Sequence, residues 1–163
     1  MHVRQLTPDD VELWKTLRRE AVSLHPRAYH VSEREVRTRS DEQFKENIEK
    51  SAVFVCFDDE NTAQGMAGYF TYKGENLAHK ATVFTVYVRE AARGKGVMDA
   101  LFRAIETHAR GRGIMQLHLG EATDSPHAMH CYERNGFKMY GTEPRAMRLN
   151  GEFIDEHWMV KFL

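Results

Sequence analysis

The amino-acid sequence predicts an α+β fold, with a mixed but mostly antiparallel central sheet of about seven strands flanked by about four helices. Runs of β-branched and aromatic residues come in neighbouring pairs, as in hairpins. A glycine-rich turn leads from one such run into an amphipathic helix. The resulting order, βα(α)βββαβαββ, mixes hairpins with a helical crossover, which favours an α+β layer structure over a doubly wound parallel sheet.

Length and composition limit the number of domains and the kinds of partner that the protein can have. The chain has 163 residues, 42% apolar and 29% charged, so we expect a single domain spanning residues 1–163. Its 23 basic and 24 acidic residues give a formal net charge of -1, which offers no strong field to nucleic acid or to an anionic membrane. Neither partner is expected.

Cysteine usage and hydropathy indicate the compartment. The spacing of Cys56 and Cys131 matches no zinc or redox motif, so a reducing compartment is expected. No apolar run approaches the length that spans a bilayer, and the N-terminal residues do not resemble a signal peptide. The predicted location is the cytoplasm.

The N-terminal segment predicts one strand and two helices. His2–Leu6 alternates as a strand does, and Thr7–Asp10 supplies an N-cap, a proline and two acids for a helix that runs to about Ser23. His25–Arg39 is polar without a strong period and is predicted to be mobile. Ser40–Lys50 predicts the second helix.

Three strands and a turn come next. Ala52–Asp58 and Gln64–Tyr72 are β-rich runs separated by a polar turn, which predicts a hairpin. Ala81–Val88 is a third run, rich in β-branched and aromatic residues. The glycine-rich turn Arg93–Met98 follows and passes into an amphipathic helix. Its residues at helical spacing are Leu101, Phe102, Ile105 and His108.

The C-terminal segment predicts three strands and a helix. Met115–Leu119 is a strand, and Ser125–Pro126 starts a helix that runs to about Glu133. Asn135–Gly136 closes that helix as a C-cap. Phe137–Tyr140 and Phe153–Phe162 are predicted to be the last strands.

The turn at Gly94 and Gly96 predicts a pyrophosphate site. Glycines before a helix let the backbone turn tightly and leave the first N–H groups free to point at an anion, reinforced by the helix dipole. Arg93 and Lys95 add charge at the rim. A Walker loop would continue with Lys and Ser or Thr, and a dinucleotide fingerprint would need a third glycine, so the turn is neither.

The segment VYVREAARGKGVMDALF resembles motif A of the GNAT superfamily of N-acetyltransferases, whose core reads Arg or Gln, two residues, Gly, one residue, then Gly or Ala. Residues 93–97 match that motif. Met98 stands where the family has a small residue.

Residues 125–137, SPHAMHCYERNGF, resemble a second segment of the same family. Ser125 stands where the family usually has Asn. Two motifs in the right order are more specific than either alone, and the resemblance is strongest from Thr82 to Tyr140. The matching residues of the second segment are Ala128, Tyr132, Gly136 and Phe137.

The resemblance implies an N-acetyltransferase with acetyl-CoA as cosubstrate, which transfers the acetyl group to a primary amine of a small molecule by direct attack in a ternary complex. Acetylation of a protein N-terminus or lysine is an open alternative, and so is a CoA-binding module without turnover. Dimers are common in the family, so a homodimer is expected. No metal is expected, because His118, His127 and His130 have no carboxylate partner at suitable spacing.

The resemblance also implies site residues. The strand before the glycine turn is expected to splay from its neighbour, and its unpaired backbone is expected to bind the pantetheine arm. The implied cofactor-binding residues are Val86, Tyr87, Val88, Arg93, Gly94, Lys95, Gly96, Val97, Met98, Ser125, His127 and Tyr132.

For catalysis, the resemblance implies Tyr132 as general acid toward the leaving thiolate and a backbone N–H near Val86 or Tyr87 as oxyanion donor. The strand ATVFTVYV contains no carboxylate, so the base stays open between Glu121, His79 and a water relay. Substrate selection is expected from two variable regions. These are His25–Glu35 and the C-terminal hairpin with Glu143, Arg145 and Glu152–Glu156.

Overall fold

Seven strands and five helices form in the computed structural model, which describes residues 1–163. The strands are β1 (His2–Gln5), β2 (Ala52–Phe57), β3 (Ala63–Thr71), β4 (Lys80–Val88), β5 (Gln116–Ala122), β6 (Lys138–Leu149) and β7 (Glu152–Phe162). The helices are α1 (Val11–Leu24), α2 (Glu33–Thr38), α3 (Asp41–Lys50), α4 (Val97–Gly111) and α5 (Pro126–Arg134). No helix is both long enough and apolar enough to cross a membrane.

The strands form one mixed sheet in the order β1-β2-β3-β4-β5-β7-β6. All neighbours are antiparallel except β4 and β5, which the crossover helix α4 joins in parallel. Their pairing is short, from Lys80 opposite Gln116 to Thr82 opposite His118. Beyond these pairs the two strands separate and leave an opening at their C-terminal ends, which we call the β4–β5 gap.

Apolar side chains pack helices against both faces of the sheet. Each helix contributes a stripe of apolar residues at a spacing of three and four. On one face, the buried residues of α4 and α5 include Leu101, Phe102, Ile105 and Tyr132. On the other face, the buried residues of α1, α2 and α3 include Trp14, Leu17, Val36, Phe44 and Ile48. These two layers hold β4 and β5 in place on either side of the gap.

The predicted α+β fold is confirmed, with one more helix than expected. Residues 25–39, predicted to be mobile, contain a 3-10 turn at Pro26–Ala28 and helix α2. Ser32 and Glu35 form a capping box, and Val36 is buried. One buried side chain in so short a helix produces no visible hydrophobic period, which is why the sequence pattern missed it.

The C-terminal strands are longer than predicted. β6 ends at Leu149 rather than Tyr140, and most of its residues are exposed, so it shows little hydrophobic alternation. Asn150 and Gly151 close the β6–β7 hairpin with φ of 49° and 88°. Asn-Gly strongly favours such a two-residue turn, so this dipeptide was the local signal for the hairpin. β5 also extends further, and Glu121 therefore lies within the strand.

Candidate active site

The turn before α4 presents a row of free backbone N–H groups. Gly94 and Gly96 have φ of 73° and 79°, a left-handed conformation that glycine adopts without steric cost. The N–H groups of residues 94–99 donate to no acceptor in the protein. A Cβ added to either glycine would meet no atom within 4 Å, so the turn opens outward. Such a helix N-terminus is able to hold phosphate oxygens.

The two basic residues of the turn lie differently. Lys95 is exposed at the rim. The Arg93 guanidinium folds back, donates to the Val88 carbonyl at 3.3 Å and lies 3.1 Å from the ring nitrogen Nε2 of His25. Arg93 therefore holds the glycine turn against the end of β4.

β4 has a bulge where it borders the gap. Its register against β3 shifts between the pairs Met66–Tyr87 and Gly68–Phe84, and Thr85 has φ 58°. β4 pairs with β5 no further than Thr82. The backbone of residues 86–88 therefore has one edge without a strand partner, which agrees with the expected splay.

A buried arginine supports the bulge. Arg18 on α1 is 7% exposed, and its guanidinium donates to the Thr85 hydroxyl at 2.7 Å. It also lies over the rings of Trp14 and Tyr29, at 5.7 and 5.0 Å from their centres. Burial lowers the pKa of Arg18 to about 10, so the group is still charged at neutral pH.

Residues 25–30, between α1 and α2, connect the two sides of the gap, and we call them the strap. On the β4 side, the Tyr29 hydroxyl donates to the Val86 carbonyl at 3.0 Å. On the β5 and β7 side, the His30 ring lies 2.6 Å from the Glu156 carboxylate. The strap thus covers the gap on the α1 face of the sheet.

Arg27 fastens the middle of the strap. Its guanidinium donates to Asp124, in the loop after β5, and to Glu152 at the start of β7, each at 2.9 Å. Both ion pairs are partly exposed, so each contributes little to stability. Their effect is to fix where the strap crosses.

Tyr132 and Glu121 meet beside the gap. Tyr132 on α5 is 5% exposed and Glu121 on β5 is 8% exposed. The Tyr132 hydroxyl donates to the Glu121 carboxylate at 3.1 Å. The residues predicted as acid and as candidate base therefore share one hydrogen bond.

Burial controls the ionisation of both groups. Burial raises the pKa of Glu121 above its ordinary value of 4.5, and the hydroxyls of Ser125 and Tyr132 offset part of that rise. Burial and the Glu121 carboxylate raise the pKa of Tyr132 well above its ordinary value. A carboxylate with a raised pKa is a stronger proton acceptor, and Tyr132 keeps its proton at neutral pH.

His79, the other candidate base, lies at the opposite end of β4. It immediately precedes Lys80, where β4 is paired with β5. The gap borders Val86–Val88 instead, and a strand rise of about 3.3 Å per residue puts His79 roughly 23–30 Å from them. The structure brings Glu121 to the gap and leaves His79 away from it.

The remaining predicted residues lie at the starts of α4 and α5. Met98 is half-buried against the core, and its backbone N–H is among the free groups of the turn. Ser125 is the N-cap of α5 and makes no capping bond through its side chain, while His127 is exposed. No three His, Cys, Asp or Glu side chains are grouped so that they could hold a metal ion.

Arg18 was not predicted as a residue of the site, and Tyr29 was included only as a member of the region His25–Glu35. Arg18 lies in a run of charged residues that is typical of a solvated helix surface, and Tyr29 lies in a polar stretch without periodicity. No local signal identifies either residue. His30 and Glu156 fall within the regions predicted for substrate selection, although the sequence did not indicate that they would pair.

Comparison with known proteins identifies relatives of the chain. A family model described as "Acetyltransferase (GNAT) family" matches residues 14–137. By sequence, the chain is similar to a candidate phosphinothricin acetyltransferase of Bacillus subtilis, with 25% identity over 114 residues that cover 70% of each chain.

Solved structures share the fold. A GNAT-family acetyltransferase from Streptococcus pneumoniae has a TM-score of 0.85 at 20% identity, covering 99% of this chain and 98% of its own. A phosphinothricin acetyltransferase from Sinorhizobium meliloti, solved in complex with AcCoA, has a TM-score of 0.83 at 18% identity, covering 99% and 87%. At these identities the likeness shows the fold.

Proposed function

Because the chain belongs to the acetyltransferase (GNAT) family, we propose that it transfers the acetyl group of acetyl-CoA to a primary amine of a small molecule within a ternary complex. One observation carries the proposal. The free N–H groups of the glycine turn, the β4–β5 gap and the buried Tyr132–Glu121 pair lie together at the C-terminal ends of β4 and β5.

The turn and the gap fit acetyl-CoA. The N–H groups of residues 94–99 have no acceptor, and the space beside Gly94 and Gly96 is open, which suits a pyrophosphate. The backbone edge of Val86–Val88 has no strand partner, which suits a pantetheine arm that replaces the side-chain bonds of Tyr29 and Arg93 to the Val86 and Val88 carbonyls. Acetyl-CoA bound there supplies an acetyl group activated as a thioester. Further contacts are proposed from Arg93, Lys95, Met98, Ser125, His127 and Tyr132.

Tyr132 and Glu121 supply the proton transfers. Glu121 accepts the proton that the amine loses as its nitrogen bonds to the acyl carbon, directly or through one water. Tyr132 gives its hydroxyl proton to the sulfur as the carbon–sulfur bond breaks. The hydrogen bond between the two residues then returns the proton from Glu121 to Tyr132. For a neutral amine the pair ends in its starting state, and an acceptor that binds as an ammonium first releases one further proton to solvent.

A small acceptor is favoured over a protein. A cavity of about 300 Å³ lies between the strap and the β6–β7 hairpin, which is a volume suited to a small molecule. The strap is tied to both sides of the gap, which narrows the approach to it on this face. The Bacillus subtilis relative, described as a phosphinothricin acetyltransferase, agrees with a small amine. The cavity is lined by His30, Glu143, Ala146, Met147, Arg148 and Glu156.

We further propose that residues 1–163 act as one domain in the cytoplasm, without a nucleic-acid or membrane partner. The shared sheet and the two free cysteines support a single domain in a reducing compartment. A homodimer is the expected assembly from the family alone, and light scattering across a concentration series measures it.

The test is thermal unfolding with acetyl-CoA and with CoA, followed on the same sample by thiol release with a panel of primary amines. Because a ligand of the native state raises the melting temperature, acetyl-CoA is expected to stabilise the protein. Small amines are then expected to release thiol, and matched alcohols are not. Peptides with free N-termini are the control acceptors.

The results of these measurements distinguish the proposed function from its two alternatives. Thiol release with peptides alone would favour a protein N-acetyltransferase. Stabilisation by acetyl-CoA without release by any amine or peptide would favour a CoA-binding module. The absence of stabilisation at saturating acetyl-CoA would overturn the proposed cosubstrate.

A further inference from the structure

Glu156 on β7 has a buried carboxylate oxygen without a hydrogen-bond partner. Its side chain is 7% exposed. One oxygen, Oε1, lies 2.6 Å from Nε2 of His30, whereas Oε2 has no donor. Buried polar atoms in native proteins nearly always have partners, because an unpartnered one is costly. The oxygen therefore suggests a donor that the protein itself does not supply.

Gly120 makes room for this oxygen beside the gap. Oε2 of Glu156 lies 3.1 Å from the position that a Cβ on Gly120 would occupy. Gly120 lies on β5 beyond His118, the last residue of that strand paired with β4. The carboxylate thus reaches from β7 over the strand that borders the gap. Burial is the largest cause of the raised pKa of Glu121, and the hydroxyls of Ser125 and Tyr132 come next and lower it. The negative charge of Glu156 is a smaller cause and raises that pKa further.

The Glu156 side chain also lines the cavity between the strap and the β6–β7 hairpin. His30 is the one side chain that bonds to the carboxylate, through Oε1, and its side chain is 61% exposed, so it is held by little packing. Glu143, a second carboxylate of the cavity, accepts a bond from the Trp158 indole at 2.9 Å. Arg148 is the lining cation and lies over the Phe153 ring.

We propose that the Glu156 carboxylate is the recognition site for the acceptor and binds its primary ammonium group before the proton is removed. The assignment rests on the proposed function, which requires an amine beside Glu121. An ammonium offers three N–H donors and a positive charge, so it supplies the missing donor and neutralises the buried carboxylate. A hydroxyl would bring no charge, and an anion would be repelled by Glu156 and Glu143.

The test uses n-butylammonium chloride as the probe at constant ionic strength. NMR follows the ring signals of His30, with n-butanol and tetramethylammonium as probes that lack the charge or the N–H donors. The wild-type protein is expected to show a saturable response to butylammonium alone. Glu156→Gln is expected to weaken that binding by about tenfold or more. Glu133→Gln is the charge control, because this exposed side chain of α5 has no bonded partner.

The same samples are tested for stabilisation by acetyl-CoA, which also shows that Glu156→Gln is folded. Equal binding in Glu156→Gln and wild type, or no saturable response in wild type, overturns the ammonium site. Stabilisation by acetyl-CoA in that case leaves the acetyltransferase proposal standing. A saturable ammonium response without stabilisation by acetyl-CoA would support the site and count against the proposed cosubstrate.

Discussion

The Tyr132 hydroxyl donates to the Glu121 carboxylate at 3.1 Å, so the proposed acid and base form one hydrogen-bonded unit. Each affects the ionisation of the other. Burial raises the pKa of Glu121, and the hydrogen bond from Tyr132 partly opposes that rise. Burial and the nearby Glu121 carboxylate both raise the pKa of Tyr132. Removing one group must therefore change the protonation of the other.

Tyr132→Phe is expected to lower kcat by about a hundredfold, because the leaving sulfur loses its proton donor. Stabilisation by acetyl-CoA is expected to remain. The variant also removes a hydrogen bond that favours ionised Glu121, so the acidic limb of the pH–rate profile is expected to move to higher pH. Measuring kcat from pH 5 to 9 tests both effects. An unchanged kcat and profile would mean that Tyr132 is only a core side chain.

Glu121→Gln is expected to stabilise the protein at neutral pH while lowering turnover. Burial raises the pKa of Glu121 in the folded state, so the stability it contributes is full below about pH 4.5 and is lost as the pH rises through the folded value. Glutamine has the shape of the neutral acid and still accepts from Tyr132. The free energy of unfolding is expected to rise by about 1–2 kcal/mol at pH 7.

Urea unfolding at pH 4 and pH 7 measures this effect, with Glu133→Gln as the matched control. The gain is expected at pH 7 and not at pH 4, and the control is expected to stay within about 0.5 kcal/mol of wild type. Equal stability of wild type and Glu121→Gln at both values would show that the buried carboxyl is not ionised at pH 7.

Local sequence patterns predicted the glycine turn, whereas Tyr132 was named as acid from the resemblance to the family and the base was left open between Glu121, His79 and a water relay. Gly94, Gly96 and the helix that follows are adjacent in the chain, and Glu121 and Tyr132 lie 11 residues apart on consecutive elements. The glycine turn is encoded by turn chemistry and by the period of the helix within one short segment. The fold class followed from the same signals.

The strap could not be predicted in this way. Tyr29 and Val86 are 57 residues apart, and His30 and Glu156 are 126 residues apart. Their contacts depend on how the strap packs over the gap, and the gap itself depends on where β4 and β5 stop pairing. No period or motif within one segment reports such long-range packing, so these contacts are seen only in the structure, although His30 and Glu156 lie in regions predicted for substrate selection.

Gly96→Ala is expected to destabilise the protein and weaken acetyl-CoA binding. Gly96 has φ 79°, and a residue with a Cβ costs about 1–2 kcal/mol in that conformation. The added Cβ meets no atom of the protein, so the cost arises from the backbone and from intrusion into the space proposed for the phosphates. The measurement is the free energy of unfolding together with the change in melting temperature on adding acetyl-CoA.

Gly111→Ala is the matched control. It lies in the last turn of α4, where an added Cβ also meets no atom and the φ is not left-handed. There, alanine is expected to stabilise the helix by about 0.5–1 kcal/mol and to leave the effect of acetyl-CoA intact. Equal acetyl-CoA binding by both variants and wild type would remove the turn from the proposed cosubstrate site.

His30 and Glu156 are expected to make stability depend on pH. The hydrogen bond to Glu156 raises the pKa of His30 above its ordinary value of 6.5, with Glu143 as a further nearby carboxylate. The folded state therefore binds the proton more tightly, and the contribution is full below about pH 6.5 and is lost as the pH rises through the folded value. Because the ring is largely exposed, the change is expected to stay below about 1 kcal/mol.

His30→Gln removes this contribution, so the difference in free energy of unfolding between wild type and the variant is expected to shrink as the pH rises from about 5 to 9. His79→Gln is the control, because His79 is an exposed histidine without a carboxylate partner. This variant shows what replacing an exposed histidine does in the absence of that contact. If the difference for His30→Gln does not change with pH, the strap does not hold His30 against Glu156. His30 would then not cover the Glu156 carboxylate that is proposed to bind the acceptor.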